Sequence, residues 1–198
     1  MTRGAPPREV RIVGGCWKRS KLPVADRPGL RPTPDRVRET LFNWLGQDLA
    51  GWRVLDAFAG SGALGFEAAS RGAASVLLLE RDPALVRSLR ESAARLKADP
   101  QRLRVEAADA LRWMRAAPPA ALDLVFVDPP FDAGLHAAAV EAAVPLLVPG
   151  GFVYVESAQP IAPPPGLEPY RAARAGAVHF ALWRRLVSSP HPAAGDEP

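Results

Sequence analysis

The chain is poor in the residues that cross-link a fold or hold a metal. Its single cysteine, Cys16, excludes an intramolecular disulfide and any multi-thiolate zinc site. The three histidines, His136, His179 and His191, are scattered without ligand spacing, so no metal is expected. No window approaches the roughly 20 consecutive apolar residues that span a bilayer, and the N-terminus lacks the apolar core of a signal peptide. A cytoplasmic protein with no membrane partner is the expectation. What is present is a chain of 198 residues, 48% hydrophobic and 23% charged, enough for one globular domain with its own core and a small appendage.

Charge of one sign is also scarce over most of the length. The formal net charge is +4, but residues 1–40 hold ten Arg and Lys against four Asp and Glu, which leaves 15 against 17 for residues 41–198. The positive charge therefore sits at one end. That asymmetry points to a polyanionic partner, with a solvated basic tail as the plain alternative.

Residues 9–13 alternate well enough for a short strand, broken by Gly14-Gly15, and suggest a small β appendage. After the proline-rich stretch from Pro28 to Pro34, Thr33 or Asp35 can cap a helix carrying Val37, Leu41, Phe42, Trp44 and Leu45 at helical spacing. From Trp52 onward short β-rich runs alternate with helical patterns. Strands are predicted at 53–56, 75–80, 103–107, 122–127 and 152–156, and helices near 63–71, 83–98, 109–115 and 133–147. Val76–Leu79 and Leu124–Val127 are apolar on both faces, as in a parallel sheet covered by helices on both sides. The reading is an open, doubly wound α/β fold. Segments 168–174 and 177–186 add an antiparallel edge hairpin, and the ends, 1–8 and from Ser188, read as disordered. Trp44, Trp52, Trp113 and Trp183 lie in core patterns, while Trp17 is placed to touch a base.

The first of these strands ends in a glycine loop, in which Gly60, Gly62 and Gly65 spell G-x-G-x-x-G and Glu80 follows at the tip of the next strand. Such a loop brings bare backbone to an adenosine-type ligand, with the acidic group accepting from ribose hydroxyls. A dinucleotide-dependent dehydrogenase shares this pattern. Asp56 argues against a pyrophosphate and for a cationic ligand, the ammonium and sulfonium of S-adenosylmethionine. Asp109 is placed either to accept from an adenine amino group or to cap the following helix. Phe58, Ser61, Arg81 and Ala110 line the same ends and complete the expected cofactor site.

The fourth strand runs into Asp128-Pro129-Pro130-Phe131. An exocyclic amino nitrogen of a nucleobase is a poor nucleophile because its lone pair is delocalised into the ring. Asp128 and the carbonyl of Pro129 can accept its two hydrogens and turn the lone pair toward a methyl donor, which is catalysis by positioning. The prolines fix φ and remove donors, and Phe131 offers a face for an extruded base, an interaction worth about 1–3 kcal/mol.

Taken together, Arg11–Gly15, Leu30–Thr33, Asp35–Leu45, Phe58–Gly65, Val127–Phe131 and Tyr154–Glu156 make the chain resemble the bacterial 16S rRNA (guanine-N2)-methyltransferases of the small ribosomal subunit. The resemblance covers residues 10–186. It implies a class I, Rossmann-like methyltransferase sheet of seven mostly parallel strands with the last antiparallel, and methyl transfer from S-adenosylmethionine to a guanine N2 of 16S rRNA, in the 30S subunit or an assembly intermediate. It divides the chain into a basic RNA-binding appendage (1–33), a methyltransferase domain (34–187) and a tail (188–198). It carries Asp56, Gly60, Glu80 and Asp109 over to the cofactor, and Asp128 and Phe131 to the target base. Arg11, Lys18, Arg19, Lys21, Arg31, Arg36 and Arg38 become the phosphate-gripping candidates. Thr33 and Arg36 can instead reach the methionine end of the cofactor. The chain departs from the family pattern at Gly15–Lys21, where positive charge is shifted, and at Asp132, a carboxylate where relatives often carry a base. An N6-adenine methyltransferase of DNA or RNA, and a binding module without turnover, are the competing readings.

Overall fold

The computed structural model describes residues 9–24, 33–130 and 134–187. The two ends expected to be disordered lie outside that range. A two-stranded antiparallel ribbon comes first, β1 (Glu9–Arg11) paired with β2 (Lys21–Pro23). Val10, Ile12 and Leu22 are buried, so the ribbon packs into the main core. Helix α1 (Asp35–Leu45) follows and buries Val37, Arg38, Leu41, Phe42 and Leu45 as one stripe. It ends at Gly46, whose φ of 95° is left-handed and whose N–H bonds back to Phe42.

The alternating half then unfolds as the apolar runs dictate. Strand β3 (Arg53–Asp56) leads to α2 (Ala63–Ser70), β4 (Ser75–Glu80) to α3 (Pro83–Arg95), and β5 (Leu103–Ala107) to α4 (Ala110–Ala116). Strand β6 (Leu122–Val127) precedes α5 (His136–Ala143), and β7 (Leu147–Ser157), β8 (Leu167–Ala175) and β9 (Val178–Arg185) complete the sheet. The order is β5-β4-β3-β6-β7-β9-β8, with β9 antiparallel to both neighbours. The predicted edge hairpin is therefore present, as β8 and β9.

Alternate strand residues feed two cores. Val54, Leu124, Phe126 and Tyr154 pack on one face with the ribbon, α1 and α2, whereas Leu55, Val125, Val127 and Val155 pack on the other with α4 and α5. Both faces are sealed by helices, which is why the strands are apolar throughout.

Two boundaries differ from expectation. The helix expected over 133–147 runs only over His136–Ala143 and passes into a 3-10 turn, Val144–Leu146. Pro145 has no N–H to continue an α-helical ladder. Strand β7 starts at Leu147 rather than 152, because the β6 register jumps from Leu122↔Leu147 to Leu124↔Phe152 and absorbs Pro149-Gly150-Gly151 as an irregularity. A side chain at Gly151 would lie 3.0 Å from the Val148 carbonyl and 3.1 Å from that of Asp123.

Candidate active site

The chain leaves β3 toward β4 and β5 on one side and later returns to β6 and β7 on the other, so a crevice opens at the carboxyl ends of β3 and β6. Four acidic residues stand at these strand ends: Asp56, Glu80, Asp128 and Glu156. The register Asp56↔Phe126 and Val127↔Val155 sets three of them on adjacent strands. By alternation Asp56, Asp128 and Glu156 belong to the face covered by α1 and α2.

Asp56 is buried, and its Oδ2 accepts from the Gly65 amide at 2.9 Å. Burial pushes its carboxyl up to about 7, against the opposing effect of that amide; the charge of Glu80 adds to the rise. Gly65 admits this contact because a Cβ there would sit 3.0 Å from the carboxylate oxygen and from Leu78. Gly62, at φ 79°, starts α2 without a side-chain cap, and a Cβ on it would lie 2.5 Å from the Phe66 ring.

Glu80 braces this loop. One oxygen accepts from the Gly60 amide at 3.0 Å and the other from the amides of Arg81 and Asp82 at 2.8 and 2.9 Å. A carboxylate has about four acceptor positions, so capacity for a hydroxyl remains. Asp109 is exposed and caps α4 through the Arg112 amide at 2.9 Å. Phe58 and Ser61 are half-buried, Arg81 is exposed and Ala110 is buried in the core on the α4 and α5 side of the sheet.

Asp128 is half-buried and makes no hydrogen bond with any described residue. Burial, then the charges of Glu156 and Asp56, holds its carboxyl well above the usual range. Pro129 is buried and Pro130 exposed; Phe131 and Asp132 lie outside the described residues. Glu156 is only 4% exposed. Its Oε1 accepts from the Thr33 hydroxyl at 2.7 Å and from the Tyr154 hydroxyl at 2.9 Å. Burial raises its carboxyl too, moderated by those two hydroxyls and by Arg38. The carbonyl of Glu156 accepts from the His136 ring at 2.9 Å, and burial lowers the pKa of this histidine, which keeps it neutral.

Thr33 is thus neither a helix cap nor an exposed group. The residue before α1 is Pro34, with no side-chain cap, and the Thr33 hydroxyl is spent on Glu156. Glu156, Tyr154 and His136 were not assigned any role by residue pattern; an acidic residue ending an apolar strand, as at Glu80, was the available signal.

One expectation is corrected. Arg38 is fully buried and cannot meet a phosphate. Its guanidinium donates to Glu67 at 3.0 Å, Asp35 at 2.6 Å, the Arg11 carbonyl at 2.6 Å and the Thr33 carbonyl at 3.2 Å. Helical spacing to Leu41, Phe42 and Leu45 turns it inward, where it ties the ribbon and the approach to α1 onto α2. Of the other basic candidates, Arg11 and Lys21 are exposed and paired with Asp35 and Glu9, whereas Lys18, Arg19 and Arg36 are exposed with no ion pair among the described residues. Arg31 lies outside the described residues. Trp17 is half-buried, edge-on to Phe66 at 6.4 Å, and packs against the core.

Among the described residues no group of acidic, histidine or cysteine side chains is arranged to hold a metal, and no helix is long and apolar enough to cross a membrane.

A seven-stranded sheet of this order with an antiparallel β9, and a glycine loop facing carboxylates across its crevice, defines a class I methyltransferase. Residues 10–184 match the family described as conserved hypothetical protein 95, and the chain belongs to that family. It is 46% identical over 155 residues to the ribosomal RNA small subunit methyltransferase D of Escherichia coli, covering 75% of each chain. To the protein of the same name from Haemophilus influenzae it is 38% identical over 187 residues, 89% of this chain and 94% of the relative. The solved structure of the Escherichia coli protein yhhF superposes with a TM-score of 0.80 at 42% identity, over 91% of this chain and 99% of that one. The dehydrogenase reading falls with these comparisons.

Proposed function

We propose that this protein transfers a methyl group from S-adenosylmethionine to the exocyclic N2 of a guanine in 16S rRNA, presented within the small ribosomal subunit or an assembly intermediate of it. The observation that carries the reading is Asp128, a half-buried carboxylate at the crevice with no partner of its own among the described residues, followed by two prolines. The names of the similar proteins supply the RNA: both are ribosomal RNA small subunit methyltransferases.

The residues present fit the donor. Burial raises the pKa of Asp56, Asp128 and Glu156, and like charge adds to it, from Glu80 at Asp56 and from Glu156 and Asp56 at Asp128, so a bound cation relieves an existing strain. Gly62 and Gly65 leave no room for side chains where backbone must approach a ligand. Asp56, Phe58, Gly60, Ser61, Gly62, Glu80, Arg81, Asp109 and Ala110 would hold the molecule, which when bound supplies an electrophilic methyl on a sulfonium. Asp128 and the Pro129 carbonyl hold the two amino hydrogens, so the nitrogen lone pair is drawn out of conjugation with the ring and aimed at the methyl carbon. As the nitrogen gains the methyl carbon it gives up one proton, and Asp128 is the base beside it. The raised pKa suits that task, because a carboxylate of ordinary acidity accepts a proton poorly near neutrality.

The test is incubation with radiolabelled S-adenosylmethionine and 30S particles from a strain lacking the modification, followed by nucleoside analysis. Labelled N2-methylguanosine is expected. N6-methyladenosine, or no label, overturns the proposal.

A further inference from the structure

The crevice contains one more carboxylate than the transfer step uses. With Asp56 and Glu80 assigned to the donor and Asp128 to the acceptor nitrogen, Glu156 is left over. Strands β6 and β7 run parallel and in register at Val127↔Val155, so Asp128 and Glu156 leave neighbouring strands side by side, at a strand spacing of about 4.8 Å. Glu156 is held rigidly: two hydroxyls, from Thr33 and Tyr154, converge on its Oε1. Its Oε2 accepts nothing from the described residues, and none of their side-chain oxygens is both sealed from solvent and unpartnered. Oε2 therefore keeps some access to solvent, and the strand register sets Glu156 beside Asp128 at the crevice.

Two adjacent carboxylates form an edge that accepts only. Among bases with an exocyclic amino group, guanine alone sets a ring N–H beside it, so its N1–H and N2 hydrogens can meet both residues. Adenine sets a bare N1 beside its amino group, and cytosine a bare N3, which would bring a lone pair against the second carboxylate. Resting on the assignment above, we propose that Glu156 accepts the N1–H of the target guanine through Oε2 and is the residue that selects guanine over adenine and cytosine. Leaving a buried charged acceptor opposed by a lone pair is the kind of mismatch that supports discrimination of about 10⁴-fold or more. The raised pKa values of both groups agree: a base offering hydrogens to each restores the ionised pair, and one offering hydrogens to only Asp128 does not.

A purely structural role, anchoring Thr33 and Tyr154, is separated by Glu156→Gln. Glutamine keeps a carbonyl oxygen for the two hydroxyls and replaces Oε2 with an amide donor. The substrates are small subunits reconstituted on 16S RNA with guanosine, or with a single 2,6-diaminopurine, at the methylated position. Diaminopurine keeps the N2 amino group but lacks N1–H. Wild type is expected to favour guanosine by at least about 100-fold in kcat/KM. E156Q is expected to lose about 100-fold on guanosine, to hold or gain on diaminopurine, and to bind S-adenosylmethionine within a few-fold of wild type. Equal wild-type rates on both particles, or a parallel loss by E156Q on both, overturns the inference alone. No wild-type transfer to the guanosine particle overturns the functional assignment and the inference with it.

Discussion

Asp128 and Arg38 show how far a residue's surroundings decide its task. Both are charged groups near the ends of elements, but Arg38 finds four acceptors and becomes a tie, whereas Asp128 finds none among the described residues and is left for a ligand. Glu67, which Arg38 meets inside the protein, also pairs with Arg71 and accepts from the Val13 amide, so loss of Arg38 leaves that carboxylate partnered and costs less than the about 3–5 kcal/mol of a broken isolated buried pair. Asp128→Ala is expected to lower kcat by about 10²–10⁴ while the affinity for S-adenosylmethionine, measured by calorimetry, shifts only a few-fold. Asp128→Asn keeps an acceptor oxygen but no base, so it should retain part of the rate and lose the acid limb of the pH profile. A collapse of cofactor affinity in either variant would move Asp128 to the donor side.

At the scale of elements, the ribbon and α1 lie on the sheet face toward which Asp128 and Glu156 point. Thr33, just before α1, reaches across to Glu156. The exposed cations of this region therefore stand on the side where the RNA would approach. Arg11 and Lys21 are held by exposed ion pairs worth only about 0.2–1 kcal/mol, which phosphates can displace. Lys18, Arg19 and Arg36 need no such exchange. RNA binding should weaken steeply with salt, each phosphate contact adding about −0.7 to the slope of log K against log salt on single strands. Lys18→Ala with Arg19→Ala should flatten that slope by about 1.4 in a filter-binding titration. A slope that is flat in wild type, or unaltered in the variant, removes the ribbon loop from the RNA interface.

For the whole molecule, the buried carboxylates of the crevice cost stability. The carboxyl of Asp56 rises to about 7 on folding from an ordinary value near 3.8, so the folded chain binds that proton more tightly than the unfolded one. Stability from this group is full at acid pH and is lost as pH climbs through about 4 to 7. Asp56→Asn, which keeps an oxygen for the Gly65 amide, should raise the melting temperature at pH 8 by roughly 2–4 °C per kcal/mol recovered, and abolish cofactor binding. A variant that melts lower at pH 8, or whose advantage is as large at pH 4, would contradict this account. Much of the architecture was readable from the chain: apolar runs for strands β3 to β6, the glycine loop before α2, the Asp128-Pro129-Pro130 turn and the terminal hairpin. These rest on local causes, period, φ freedom and missing donors, that act within a few residues. The start of β7 and the break of α5 were not readable in full, because a register jump against β6 and a single proline decide them. The acidic edge formed by Asp128 and Glu156, the inward turn of Arg38 and the Thr33–Glu156 bond across 123 positions exist only in three dimensions. They follow from which strands neighbour one another and in what register, and no spacing along the chain encodes that directly.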